Sequence, residues 1–297
     1  MRNPTFLFFA FFILFSIHTF AQDINKYPTL AETWHLDSIS RAEKVEFRIL
    51  PYKPVYILFA NYTTNVNDIP ISPNEDNAID EAIGYNNVEL VFQLSFKTRI
   101  LHNIFGKNIG GDVWGAYTQS SRWQIYNTKL SRPFRETNYQ PEAFLIFSTP
   151  YKIGDFEGVY MGVGLNHQSN GRSTPLSRSW NRVIFQMGWE VNKVQIVLKP
   201  WIRLPETAEN DDNADIDDYI GRAELDLNYA FGNHDFELIT RHSLRGGDNN
   251  RGSARLDYSY RFVKNLKIHA QVFTGYGESL IDYNHNQTTV GLGLSLY

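Results

Sequence analysis

The chain of 297 residues contains no cysteine. That excludes a disulfide scaffold and any thiolate metal site. A strong excess of charge of one sign is also missing. Lys and Arg number 28 against 32 Asp and Glu, a formal net charge of -4, which leaves no footprint for nucleic acid. Past the first residues there is no run of about 18 apolar residues, so no transmembrane helix is available. Long stretches of helical period are absent too. What the chain has instead is aromatic side chains, 15% of its residues, with 17 Tyr and 21 Phe. Two kinds of protein use them this way: a soluble β protein with a large core, or a bilayer barrel with interfacial aromatic girdles.

The opening residues, MRNPTFLFFAFFILFSIHTFAQ, hold one positive charge, Arg2, ahead of an apolar stretch over residues 6–17. Thr19 and Ala21 fit a small-residue cleavage pattern loosely. Residues 1–21 read as a secretory signal peptide. The alternative is a membrane anchor, but its apolar core is too short to span comfortably. Residues 22–50 read as a polar N-terminal segment, periplasmic or plug-like. The barrel domain is expected over residues 51–297.

From there on, alternating segments follow one another, separated by Gly, Asn, Asp or Pro clusters. They fall at residues 55–64, 89–100, 112–125, 139–149, 159–169, 181–190, 194–203, 221–230, 235–243, 251–261, 266–275 and 287–297. Their length suits tilted membrane strands, and their number is even. Short connectors (191–193, 231–234, 262–265) alternate with longer polar ones (205–220, 277–286), as periplasmic turns alternate with extracellular loops. The expected fold is all-β, a twelve-stranded antiparallel transmembrane β-barrel, the one kind of sheet that leaves no backbone edge open in lipid. In the last segment Val290, Leu292, Leu294 and Leu296 share the lipid face, and Gly291, Gly293 and Ser295 the lumen. Tyr297 is a terminal aromatic.

One hairpin departs from this pattern. Strand residues alternate between faces. Val159, Met161, Val163 and Leu165 form an apolar set, which His167 and Ser169 continue. On the next strand Val183, Phe185, Met187 and Trp189 form the apolar set, to which Asn181 belongs. So His167, Ser169 and Asn181 are placed on the outer wall, at one rim. A Ser hydroxyl needs an adjacent base, His is the base that works near neutral pH, and Asn can orient the imidazole through its amide oxygen. Polar groups turned towards lipid are costly and mark function. The plain alternative is a chance His-x-Ser pair beside the turn formers Asn170 and Gly171.

At these residues the sequence resembles the outer membrane phospholipase A family. The matching stretches are HQSNGRS (167–173), SRSWNR (177–182), AYTQSSRWQ (116–124), SRPFRETNY (131–139), KPW (199–201), DDNADI (211–216) and GYGESLIDYN (275–284). The likeness covers roughly residues 47–297. It implies a calcium-dependent, twelve-stranded outer-membrane barrel that hydrolyses acyl esters of phospholipids (A1 and A2 activity, with lysophospholipase activity as an extension). Such a barrel is active as a homodimer and dormant as a monomer, with the site on the extracellular side. Ser169 then corresponds to the nucleophile, His167 to the general base and acid, and Asn181 to the orienting residue. The Ca2+ ligands correspond to the carbonyl of Arg172, the hydroxyl of Ser177 and Ser131 of a second copy. Gln119 corresponds to a dimer-interface residue. Asp212 matches a carboxylate of a second calcium site, whose other carboxylate is replaced here by Thr174, and one carboxylate fewer should weaken calcium there. Asp211, Asp215, Asp217 and Asp218 are expected in a solvated loop. His102, His234, His242, His269 and His285 are expected as ordinary surface or interface residues. The rival reading is a noncatalytic barrel, a channel or structural protein.

Overall fold

The computed structural model describes residues 27–37, 46–106, 108–207 and 209–296. The expected signal peptide and Tyr297 lie outside them. Twelve strands form the wall: β1 Val55–Thr63, β2 Val88–Leu101, β3 Asp112–Trp123, β4 Phe134–Ile153, β5 Phe156–Ser169, β6 Ser179–Val191, β7 Val194–Leu204, β8 Ala223–Phe231, β9 His234–His242, β10 Gly252–Val263, β11 Leu266–Tyr276 and β12 Asn286–Leu296. Each pairs antiparallel with its neighbours in sequence, and β12 pairs with β1 to close the ring. A two-residue strand, Leu50–Pro51, adds to β2.

The surface is inverted relative to a water-soluble protein. Met161, Leu165, Phe185, Ile202 and Leu292 point outward and are exposed, while Lys97, Arg99, Glu142, Arg182 and Asp257 point inward and are buried. That is the pattern of a barrel whose solvent is lipid. Where β12 meets β1 the register shifts between Leu292 and Gly293. A Cβ on Gly293 would lie 1.8 Å from the Ile57 carbonyl oxygen, so only glycine fits this close backbone approach.

All twelve expected segments overlap a strand, but β4 runs 20 residues, well beyond the expected 139–149. Its early part is polar because Arg135, Glu136 and Asn138 are buried and hydrogen-bonded inside. The polar residues ahead of Tyr139 therefore imitated a loop.

The lumen is filled in layers. At the end with short turns, the helix Leu30–Thr33 is held by a capping box between Thr29 and Glu32. Leu30 N–H donates to Glu190 on β6 at 2.5 Å. Trp34 is buried against Trp114, Tyr160 and Phe144, with Lys97 Nζ 3.6 Å from its ring centroid. The expectation of a polar segment therefore needs correcting for residues 27–37, because Leu30, Trp34 and Leu36 are core. The middle of the lumen is ionic, with Lys199 and Arg241 both paired to Glu224. At the other end Trp180, Trp201, Ile216, Ile220, Leu280 and Tyr283 form an apolar cap beneath the long loops.

The segment 277–285 folds back into this cap. Asp282 accepts from Arg135 at 3.1 and 3.0 Å, from Ser279 at 2.5 Å and from Asn67 at 3.1 Å. Burial pushes the Asp282 carboxyl up, but Arg135 and Arg122 outweigh it and hold its pKa below the usual carboxylate value. The unfolded value is about 3.9. A depressed folded pKa contributes stability that is fully present above the unfolded value and lost as pH falls through the folded one. Unfolding of Asp282→Asn is therefore expected to be less pH-dependent than that of the parent below about pH 4. Equal acid sensitivity in both would count against this role.

Two further expectations are corrected by the lumen. His269 is not a surface residue. It is fully buried on the inward face of β11, 2.8 Å from Ser259 Oγ and stacked on Tyr56. Asp211 is not solvated. It is buried and pairs with Arg203 at 2.6 Å, and Asp215 accepts from Tyr283 at 2.7 Å.

Candidate active site

The β5–β6 hairpin sets the geometry. Its register pairs Asn166 with Arg182, His167 with Asn181 and Ser169 with Ser179. Directly opposed residues share a face and meet, so His167 Nδ1 lies 2.8 Å from Asn181 Oδ1. Ser169 follows two residues along the same outer face. It makes no side-chain hydrogen bond among the described residues, so only the His–Asn half of the constellation is joined. Catalytic bonds of this kind commonly tighten only when substrate is bound.

The inward residues of the same two strands form a rigid backing. Arg182 donates to Asn166 Oδ1 at 3.1 and 2.7 Å, and its guanidinium lies 3.8 Å from the Trp180 ring. Trp180 Nε1 donates to Gln168 at 2.9 Å. Even-numbered side chains thus fix the lumen side while odd-numbered ones face outward.

The loop after Ser169, residues 170–178, is folded around Asn170. Asn170 Nδ2 donates to the Leu176 carbonyl at 2.7 Å, and its Oδ1 accepts from Arg178 N–H at 3.0 Å. Gly171 has φ +63°, and a Cβ there would lie 2.9 Å from the Tyr139 ring, so glycine is needed for conformation and for space. Arg178 is fully buried and donates to the carbonyls of Ile71 and Asn77 at 3.1 and 2.8 Å, tying this loop to residues 64–87. Burial pushes its guanidinium pKa down from the ordinary value.

The residues expected to hold calcium are only partly brought together. Ser177 Oγ donates to Asp212 Oδ2 at 2.6 Å, and Asp212 Oδ1 accepts from Asn77 at 2.6 Å. The two sets of ligands read from the sequence therefore overlap, since Ser177 was assigned to one and Asp212 to the other. The Arg172 carbonyl in the same loop accepts no hydrogen bond from the described residues, and Thr174 is exposed. A carboxylate, a hydroxyl and an open carbonyl are hard oxygen donors that fit calcium. Among the described residues no group of three or more His, Cys, Asp or Glu forms a metal cluster, so any such site relies on neutral oxygens. Ser131 makes no hydrogen bond to these residues and is exposed in the β3–β4 loop with φ 59°. Gln119 faces outward on β3, accepting from Tyr117 at 3.1 Å and donating to Ser121 at 3.4 Å.

The reading from sequence missed Asn170 as the centre of the loop, because an Asn-Gly pair signals any turn. It also missed Glu206, which accepts from Asn181 Nδ2 at 2.9 Å. The parity of β7 held a signal for it: Ile202 and Leu204 face outward, and Glu206 is next in that series.

Fold and site together define a class, a twelve-stranded membrane barrel that carries a Ser, a His and an Asn side by side on its outer wall. The chain belongs to the phospholipase A1 family, whose model matches residues 30–296. It is 40% identical over 253 residues to phospholipase A1 of Proteus vulgaris, covering 84% of this chain and 82% of that protein. Identity to phospholipase A1 of Escherichia coli K12 is 39% over 251 residues, with the same coverage. Among solved structures, outer membrane phospholipase A from Escherichia coli superposes with a TM-score of 0.74 at 36% identity, covering 84% of this chain and 94% of that one. A Salmonella typhi outer membrane phospholipase dimer with bound calcium also gives 0.74 at 36% identity, covering 86% and 94%.

Proposed function

We propose that the protein is an integral outer-membrane phospholipase that hydrolyses acyl esters of phospholipids at Ser169, needs calcium and works as a homodimer. The observation that supports it most is the outward placement of His167 and Asn181, joined at 2.8 Å, beside Ser169 on an apolar wall. Acyl chains lie along such a wall with their ester groups near its rim. A nucleophile there reaches the ester without extracting lipid from the membrane.

In this reading Ser169 Oγ attacks the ester carbonyl while its proton passes to His167 Nε2. Asn181 Oδ1 accepts from Nδ1–H, which fixes the tautomer that leaves Nε2 unprotonated. The lysolipid alkoxide leaves with the proton from His167, and water, activated by the same nitrogen, releases the fatty acid from Ser169. The Ser169 backbone N–H supports the charge on the former carbonyl oxygen. Arg172, Ser177 and Asp212 are the oxygen donors available to calcium, with Ser131 of a second copy. When bound, calcium supplies positive charge beside that developing oxyanion.

Ligands drawn from two chains make activity depend on assembly, which protects the host membrane from continuous hydrolysis. Fatty-acid release is therefore expected to rise with the fraction of crosslinkable dimer as detergent is diluted. A fully active monomer would overturn the dimer requirement. The rival, a passive channel, predicts steady conductance in planar bilayers; the buried side chains filling this lumen favour the enzyme.

A further inference from the structure

We infer that Glu206 is a fourth member of the catalytic relay, a positioning residue that acts on His167 through Asn181. The inference rests on the reading of Ser169, His167 and Asn181 as the hydrolytic site. Asn181 pairs across the sheet with Leu204. Leu204 faces outward, and Glu206, two residues further on, continues that face just past the end of β7. Its carboxylate reaches back to Asn181 Nδ2 at 2.9 Å, while Asn181 Oδ1 meets His167 Nδ1 at 2.8 Å.

Two consequences follow from the chemistry of an amide. First, a carboxylate accepts and never donates when ionised. It therefore fixes the Nδ2 end of Asn181 towards itself and the Oδ1 end towards the imidazole, excluding the flipped amide that would present a donor to His167. Second, its negative charge polarises the amide. Electron density shifts towards Oδ1, strengthening the bond to the imidazolium that forms when Ser169 gives up its proton. Glu206 makes no ion pair among the described residues, and Asn181 is its one side-chain hydrogen-bond partner. No other charged side chain hydrogen-bonds to His167, Ser169 or Asn181 among them. The charge is thus neither cancelled nor duplicated.

The arrangement also fits the membrane. An ionised carboxylate directly beside His167 on the outer wall would face lipid, where charge is costly. A neutral Asn occupies the wall position, and the charge is set one link further out, in the 205–222 loop. Asn181 transmits what an aspartate would supply directly.

The test compares the refolded parent, Glu206→Gln, Asn181→Ala and the double variant, reading fatty-acid release from mixed detergent–phospholipid micelles with calcium. Gln keeps an oxygen that can accept from Asn181 and removes only the charge. Glu206→Gln is expected to lower kcat about fivefold or more with KM unchanged. In the Asn181→Ala background the same substitution is expected to change kcat by less than about twofold, because coupled residues are not additive. A merely structural role for Glu206 would give the same loss in both backgrounds, and that result would overturn the inference. So would full activity of Glu206→Gln in a parent that Ser169→Ala silences, which leaves the hydrolytic reading intact. A parent with no activity overturns both.

Discussion

Replacing Ser169 by alanine is expected to reduce fatty-acid release by about 10³-fold or more, which corresponds to about 4 kcal/mol of transition-state stabilisation. The side chain is small, faces outward and makes no hydrogen bond among the described residues, so its loss removes no hydrogen bond of the fold. The variant should refold, pair into dimers and bind calcium as the parent does. That separation matters because inactivity through misfolding would be uninformative. Loss of activity with folding and dimerisation intact assigns the chemistry to one oxygen atom. Residual release above about a tenth of the parent rate would mean that another group attacks the ester, and the outer-wall site would be wrong.

Removing calcium is the second large effect. The expected loss on chelation with EDTA is about 10²-fold or more, the scale on which a single oxyanion stabiliser acts. Ser177 and Asp212 touch at 2.6 Å, so the proposed donor set has one carboxylate and otherwise neutral oxygens. Few charged ligands mean modest affinity, and half-maximal activity should require free calcium well above the range of tight cytosolic buffers. Asp212→Asn should raise that requirement further while leaving the rate at saturating calcium close to the parent's. If release survives EDTA unchanged, the serine chemistry stands and the calcium assignment falls.

Most of the wall was legible in the sequence because a strand has a period of two and lipid demands apolar residues at every second position. Val290, Leu292 and Leu296 are exposed where the alternation put them, and the inward Gly291, Gly293 and Ser295 are buried. The same parity placed His167 and Asn181 on one face, and the register then brought them into contact. Where lumen polarity dominates, the alternation fades. Arg135 and Glu136 are buried polar residues of β4, and nothing local distinguishes them from a solvated loop. His269 was misjudged for the same reason, as its partner Ser259 comes from another strand.

The loops were the least legible. Ser177 and Asp212 are 35 positions apart and meet only because residues 170–178 and 209–222 are folded against each other. Ser179 N–H accepted by Asn213 Oδ1 at 3.0 Å holds that contact, and no periodic pattern encodes it. The acidic run at 211–218 looks solvated by composition, yet Asp211 and Asp215 are anchored by Arg203 and Tyr283. Glu206 lies between these cases. Its face follows from the parity of β7, but its contact with Asn181 needed the path of the chain beyond Leu204.

The most direct test of the central claim is covalent labelling of the folded protein with a reactive organophosphorus ester in phospholipid–detergent micelles, read by peptide mass spectrometry. The account predicts a single adduct on Ser169, formed in step with loss of fatty-acid release and strongly slowed by His167→Ala. Full hydrolytic activity with Ser169 unlabelled, or inhibition caused by an adduct at another residue, would contradict it.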